Sequence, residues 1–541
     1  MSSILFCLLR PEEYSRPLAY FMTIGLMASV LAVEILFLPA GKSQERLALL
    51  KIILLSVNIE LSQVFVFPSI VGIDPWLHQS FTLDILKSGV IPGGFSYSGI
   101  PLMHLLVGSF SLITGLDYKI SAFLSISIVQ AVSASTLVYL IGSRVFNSRI
   151  GLLGALLLGT ANYELSMGYW AIPNTMATVF ALAIVFLLFR TTQEKPSTNL
   201  CVTSLIMLFS GALILTHTVT SVFMLLLLVV FCVGFEVRNR VHHEGKNPVQ
   251  PSLPIFFAAG MLAWWTYVSG HLGLLATFLE EGFSLSFRLG NVPSQVSQYS
   301  NRVPILEQLF NSGGSYLFLT ISFIGCLYMF SKYGTSRAFV IAASGVITTA
   351  MAFFAPIANV WIITQRWFYF SQILMSLPLA FGLMMLCWKM KSRLVKSILL
   401  ASLVFLLTFL MILSPTANLD NPTFSPNTQI RYAFTTSEQQ ALETVAGMGS
   451  KKIAVDDYYS LLDYPLYPTE SIGERIYNGS FTMYNGEPIL IRQEIVNHPF
   501  QSIAGSTAYK LDYDPRETLT TQIFSRIYDS NSVSGFIRFS H

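Results

Sequence analysis

Charge is what this 541-residue chain has least of. Asp, Glu, Lys and Arg make up 11% of it, against 53% hydrophobic residues and a mean hydropathy of +0.59. A soluble domain carries roughly 25% charged residues, so most of the chain must meet lipid rather than water. The net charge of +3 is small and dispersed, which excludes a nucleic-acid partner. The five cysteines (Cys7, Cys201, Cys232, Cys326, Cys387) all fall in or beside apolar segments, with none in the polar C-terminal region. That excludes a disulfide framework and a zinc spacing, leaving inert buried thiols. No cleavable signal peptide is evident, because Arg10, Glu12, Glu13 and Arg16 precede the first long apolar run without a clear small-residue cleavage site. No internal repeat stands out.

What is abundant is apolar runs. A spanning helix needs about 20 apolar residues, and runs of that kind occur near 18–39, 47–67, 120–142, 150–166, 173–190, 201–217, 218–235, 254–270, 315–331, 338–355, 366–388 and 397–414. The pattern predicts a mainly α, polytopic transmembrane helical bundle of about 11–13 helices over residues 1–414. Lys and Arg gather in the short loops holding Arg144 and Arg149, Arg190 and Lys195, Arg238 to Lys246, Lys332 and Arg337, and Lys389 to Lys396. With these spans all five fall on one side, the cytoplasmic one. A cytoplasmic first loop with Lys42, Arg46 and Lys51 then puts Arg10 and Arg16 outside. The outer face receives the loop 68–119, the turn 167–172, the loop 271–312, the turn 356–365 and residues 415–541. This last region reads as a small extracytoplasmic α/β domain. It has a capped helix over Ser437–Ala446 and short strands at Lys452–Val455 and Gly535–Phe539.

The most informative run is Gly72-Ile73-Asp74-Pro75-Trp76-Leu77-His78, in the first outer loop. It sets an acid and an imidazole four residues apart, one helical turn on the same face. Pro75 to Lys87 and Pro101 to Thr114 both read as helices too short or too polar to span, lying in the membrane interface. The plain structural reading makes Asp74 the N-cap and Pro75 the first helical residue. That explains Asp74 and Pro75 but not His78.

These residues carry a resemblance. An Asp in the first outer loop of a polytopic protein, followed by interfacial helices, resembles the GT-C superfamily of membrane glycosyltransferases. Asp74-Pro75-Trp76-Leu77-His78 is similar to the Asp-Pro-aromatic-aromatic-His segment of oligosaccharyltransferase catalytic subunits, and Tyr97-Ser98-Gly99-Ile100-Pro101-Leu102 to the Tyr-Pro segment that follows it. The resemblance implies a polyprenyl-phosphate- or diphosphate-linked sugar donor on the outer side, with Asp74 as base or metal ligand and Trp76, Tyr97 and His104 near the substrate. One element departs. Those enzymes carry a Trp-Trp-Asp-Tyr-Gly motif in the outer domain, whereas the nearest string here, Trp264-Trp265-Thr266-Tyr267, lacks the Asp and sits in a predicted span. A transferase using a lipid monophosphate sugar, of the protein-mannosyltransferase or aminoarabinose-transferase type, fits better than peptide-Asn transfer. The acceptor is then a glycan, a lipid or a protein.

Three further polar residues fall on the outer side. Glu164 lies at membrane depth, where an acid is costly, although an interfacial carboxylate in contact with water is the plainer account. His217 sits between Thr216 and Thr218, either as a hydrogen-bonded structural residue or as a phosphate partner. Arg366 opens a long apolar helix, either as a snorkelling anchor or as a guanidinium for a lipid-linked phosphate. The loop 271–312 holds His271, Glu280, Glu281, Arg288 and Arg302, either as a lid over the donor or as a solvated connection. In the expected mechanism Asp74 takes the acceptor proton, His78 orients it, and Arg366 with His217 meets the leaving phosphate. Mg²⁺ or Mn²⁺ held by Asp74, Glu164 and a histidine would do the same work, and sequence does not choose between the two. A flippase or transporter of lipid-linked glycans is the alternative. Transport folds tend to show repeats and broken helices meeting at the midplane, however, and here the ionisable residues gather at the outer edge. A receptor-like protein would leave that gathering to chance.

Overall fold

A computed structural model describes residues 8, 13–39, 41–94, 96–191, 196–242, 249–273, 303–354, 364–418, 424–449, 452–461, 468–481, 484, 486–501, 508–522 and 524–539. The architecture is a helical bundle followed by a small α/β domain. Among the described residues, ten helices are long and apolar enough to cross a membrane, or eleven if one bent pair counts as a single span. All twelve expected segments are helical, but two differ from the expectation. The 150–166 segment is a pair, Ser148–Gly159 and Asn162–Trp170, bent by 61°. Thr160 and Ala161 leave the helix there, with Ala161 in extended conformation. The 201–217 segment belongs to the helix Pro196–Ile214, whose described apolar part, Leu200–Ile214, is shorter than a span.

The helix Thr364–Trp388 is the most enclosed of the spans, with 89% of its apolar window buried. It packs along Ile305–Phe330, where small residues let the backbones approach. A Cβ on Gly325 would collide with the Pro378 carbonyl, and one on Gly382 would lie 2.5 Å from the Ile321 carbonyl.

The segment between Val64 and Tyr118 carries the two short helices, Asp74–Ser88 and Leu102–Thr114. The second is amphipathic, exposing Leu105, Leu106, Leu112 and Ile113 while burying Met103, His104 and Val107. The first corrects the expectation. Trp76 and Phe81 are buried in protein, Ile85 and Leu86 are half-buried, and Leu77 is exposed. Asp74 is also not the N-cap: Ile73 holds that position without a side-chain cap, and Asp74 is the first helical residue.

The last membrane-length helix ends at Leu413. Beyond it, Thr435 and Glu438 form a reciprocal capping box that starts the helix Thr436–Gly447. Strands β1 (Ile453–Val455), β2 (Thr469–Ser471), β3 (Ile489–Arg492), β6 (Ser525–Asp529) and β7 (Val533–Ile537) make a five-stranded sheet in the order β2-β1-β3-β7-β6. A separate two-stranded ribbon joins β4 (Phe500–Gln501) and β5 (Ala508–Tyr509). β1 is parallel to β2 and β3, while β7 is antiparallel to β3 and β6. Side-chain alternation sorts the core into two layers. Ala454, Ile489, Ile491 and Phe536 pack on Ile476, Ile495 and Leu519. Ile453, Val455, Leu490 and Val533 share a cluster with Leu442, Tyr458 and Tyr459, and that cluster continues into Ile70, Trp76 and Met103 of the bundle. The domain is thus built onto the segment that carries Asp74.

The N-terminal segment joins the same junction. Arg16 is buried and donates to Ser62 Oγ at 2.9 Å and Asn418 Oδ1 at 3.0 Å, with Gln63 as a third partner.

Candidate active site

Gly72 adopts φ +108°, a conformation that favours glycine, and the space a Cβ would fill is taken by Pro75 and Trp170. The chain turns there into the helix Asp74–Ser88. The turn is fixed by the C-terminal domain: the Gly72 N–H donates to the Tyr432 carbonyl at 2.8 Å, and the Tyr458 hydroxyl donates to the Gly72 carbonyl at 2.7 Å. Phe434 N–H donates to Ser69 Oγ at 2.8 Å, and the Phe434 ring stands 5.9 Å from Trp76. Trp76 is therefore a packing residue between the two parts of the molecule.

Asp74 and Arg366 meet across 292 positions of sequence, with Arg366 Nη2 donating to Asp74 Oδ2 at 3.1 Å. Both are partly exposed, at 34% and 19%. The expectation that His78 orients Asp74 needs correcting. His78 is buried and its Nδ1 lies 3.0 Å from His104 Nε2. Tyr97 stands edge-on to both imidazoles, with ring centroids 4.8 and 5.3 Å away, and Phe81 lies edge-on to His104 at 4.8 Å. Burial pushes His78 down to about 3, with the Arg366 charge adding to it. Burial likewise lowers His104 well below the usual histidine range, helped by His78. Burial also raises the Tyr97 phenol to about 12. All three rings are neutral near pH 7.

His217 joins this cluster electrostatically. Burial holds it well below its ordinary range, followed by the charges of Arg366, His78 and His271. Its Nδ1 is 2.8 Å from Thr220 Oγ1, which donates to Asn174 Oδ1 at 2.7 Å, so the ring is locked from behind. Trp264 Nε1 donates to the Gly99 carbonyl at 2.8 Å, and Leu102 N–H to the Leu215 carbonyl at 3.3 Å. These bonds stitch the first loop onto the segments that carry His217 and His271.

The structure thus brings together Asp74, His78, Tyr97, His104, His217 and Arg366, with His271 beside them. Chemically it offers one carboxylate, one guanidinium and several uncharged imidazoles, a set that accepts a proton at one end and meets an anion at the other. Glu164 faces elsewhere: its Oε1 accepts from Gln130 Nε2, and its charged neighbour is Glu60. Sequence reading missed Glu60 and Gln130. Glu60 was open to detection, as an acid inside the apolar run Ile59-Glu60-Leu61. Among the described residues no group of three or more His, Cys, Asp or Glu is placed to share a metal ion. Glu280, Glu281, Arg288 and Arg302 lie outside the described residues.

No family model matches the chain, and no curated protein matches it. Solved structures do. The oligosaccharyltransferase AglB from Archaeoglobus fulgidus, in complex with an inhibitory peptide and a dolichol-phosphate, is similar over 83% of this chain and 69% of its own, at 13% identity and a TM-score of 0.50. ArnT from Cupriavidus metallidurans, bound to undecaprenyl phosphate, is similar over 92% of this chain and 98% of its own, at 10% identity and a TM-score of 0.51. The chain therefore shares its overall fold with these two structures.

Proposed function

We propose that this protein is a glycosyltransferase of the cell membrane. It moves a sugar from a polyprenyl-phosphate-linked donor to a glycan, lipid or protein acceptor on the outer face, where the C-terminal domain also lies. The observation that carries the reading is the Asp74–Arg366 pair, half open to solvent and walled by neutral imidazoles. The two similar folds that hold dolichol-phosphate and undecaprenyl phosphate support the donor class.

Sugar transfer passes through an oxocarbenium-like state. The acceptor oxygen bonds to the anomeric carbon as the bond from that carbon to the phosphate oxygen breaks. Asp74 takes the acceptor proton, and the phosphate leaves with the electron pair. Arg366 uses one of its five donors on Asp74, and the others remain for the phosphate as its charge grows. His217, uncharged and locked by Thr220, stands in the same electrostatic cluster as Arg366. The His78–His104 pair and Tyr97 shape the wall behind Asp74. A divalent ion at Asp74 does not fit this arrangement, because the carboxylate already faces a guanidinium and Glu164 faces Gln130. No step needs one.

Asp74→Asn tests the base. In membranes supplied with a polyprenyl-phosphate sugar, transfer should fall by roughly 10²- to 10⁴-fold, with insertion and folding unchanged. Full activity of that variant overturns the reading. Mass spectrometry of surface glycans with and without the gene identifies the sugar and the acceptor together.

A further inference from the structure

The break between Ser148–Gly159 and Asn162–Trp170 frees backbone groups inside the bundle, where an unmet polar group is costly. Another helix meets them. Gln372, on Thr364–Trp388, accepts from the Tyr163 N–H at 3.1 Å, and its Nε2 donates to Asn162 Oδ1 at 2.6 Å. Asn162 in turn donates to Ser414 Oγ at 3.1 Å and Ser315 Oγ at 3.3 Å. Asn162, Gln372 and Ser414 are all buried. The Tyr163 ring stacks on Phe368, with centroids 5.3 Å apart and planes at 14°. Phe368 lies two residues beyond Arg366. The first turn of the short helix is thus fixed to the element that carries Arg366.

The other end of the same helix reaches the Asp74 side. It stops at Trp170, whose ring stands 3.0 Å from the position of a Cβ on Gly72. Trp170 and Ala171 line one hollow with Pro75, the residue after Asp74. Ala171 takes φ +52° and, among the described residues, is the one non-glycine with a positive φ. Such a conformation is strained and persists where the surroundings impose it. Here they do. The Gly168 carbonyl accepts from the Ala171 N–H at 3.1 Å and from Ser127 Oγ at 2.6 Å, and Thr175 Oγ1 donates to the Met167 carbonyl at 2.6 Å. Both ends are held, and the nine residues between them span about 13 Å.

We propose that the Asn162–Trp170 helix is a rigid bracket that sets Asp74 opposite Arg366, with Gln372 as the positioning residue that fixes it. The single, partly exposed bond between Asp74 and Arg366 is too weak to hold the two side chains in one geometry by itself. The bracket ties the turn before one to the helix that bears the other. Its kinetic consequence rests on the glycosyltransferase reading, and its structural content does not.

The test pairs hydrogen exchange of the full chain in lipid nanodiscs, read by mass spectrometry, with transfer kinetics. Gln372→Met removes both bonds and keeps the length of the side chain. Amides of Asn162–Trp170 should then exchange at least ~10-fold faster, and the loosening should reach Gly72–His78. Turnover should fall roughly 10- to 100-fold with KM little changed. Gln372→Glu in its protonated form keeps both bonds and should restore protection and turnover. Tyr163→Leu loses the stack on Phe368 and should give a milder version of the same pattern, which keeps the test open if Gln372→Met misfolds. Loosening confined to the first turn, Asn162–Leu165, overturns the bracket and leaves Gln372 as packing between helices. So does a fall in turnover with Gly72–His78 as protected as in the wild type. Loosening that reaches Gly72–His78 with transfer unchanged upholds the bracket and overturns Asp74 as the base instead.

Discussion

Two arginine–carboxylate pairs divide the labour of this molecule. In the C-terminal domain, Arg492 grips Asp456 through two bonds of 2.7 Å, with side chains 2% and 0% exposed. Glu438 lies 3.6 Å away, and the guanidinium sits over the rings of Phe434 and Tyr459. At the bundle face, Arg366 reaches Asp74 through one bond of 3.1 Å, with both groups partly in solvent. The first pair is bidentate and enclosed, with the remaining nitrogen of the guanidinium turned to Glu438. The second leaves four N–H donors and one carboxylate oxygen outside the pair, on two elements that are far apart in sequence. The same two residue types thus serve structure when bidentate and enclosed, and offer chemistry when monodentate and open.

The largest effects come from breaking each pair. Arg492→Ala strands Asp456 in a buried layer, so the C-terminal domain should lose about 3–5 kcal/mol. Limited proteolysis and thermal unfolding of the full chain would read this as early loss of residues after Leu413. Arg366→Ala should do the opposite. A half-exposed pair contributes about 0–1 kcal/mol, so stability barely moves, while sugar transfer falls roughly 10²- to 10³-fold with the loss of an anion donor. If Arg366→Ala unfolds the protein and Arg492→Ala does not, the comparison is inverted and the site assignment falls with it.

The comparison also marks how far sequence reaches. Long apolar runs specify spans because lipid tolerates little else, so the bundle and its polar C-terminal domain were legible. The two short helices of the first loop were legible too, through their Gly and Pro punctuation. Asp74 and Arg366 stood out as candidates because a charge at a membrane edge needs a reason. Their contact did not, since nothing local ties positions 292 residues apart. His78 was misassigned for a related reason. Helical spacing put it near Asp74, but burial among aromatic rings favours an uncharged partner, and His104 supplies one from the next helix. The bend at Thr160–Ala161 was hidden because apolar composition counts length and does not see direction.

Acid sharpens the contrast next. His78 titrates at about 3 in the folded protein and near 6.5 when exposed. Between those values the unfolded chain binds more protons, so stability is complete above about pH 6.5 and falls as pH drops. At about pH 5 the loss from this residue amounts to roughly 2 kcal/mol. Chemical denaturation of the wild type and His78→Gln at pH 7 and pH 5 checks the sign. The variant should lose less stability on acidification, and equal losses in the two proteins would show that His78 is not held neutral. Arg492, surrounded by carboxylates rather than imidazoles, predicts no such slope in this window.

The smallest effect tests whether the two regions are coupled. Tyr458 stacks on Phe434, which Arg492 covers, and its hydroxyl holds the Gly72 carbonyl two residues before Asp74. Tyr458→Phe removes one buried hydrogen bond and should cost about 1 kcal/mol of stability. If that bond also sets where Asp74 stands, turnover should drop with little change in KM, by up to about tenfold. The acceptor and donor would still bind, but the base would meet the acceptor hydroxyl at a poorer angle. A change in stability alone would make the C-terminal domain a passive cover. A change in turnover at constant KM would make the rigid arginine pair the anchor from which the open one is aimed.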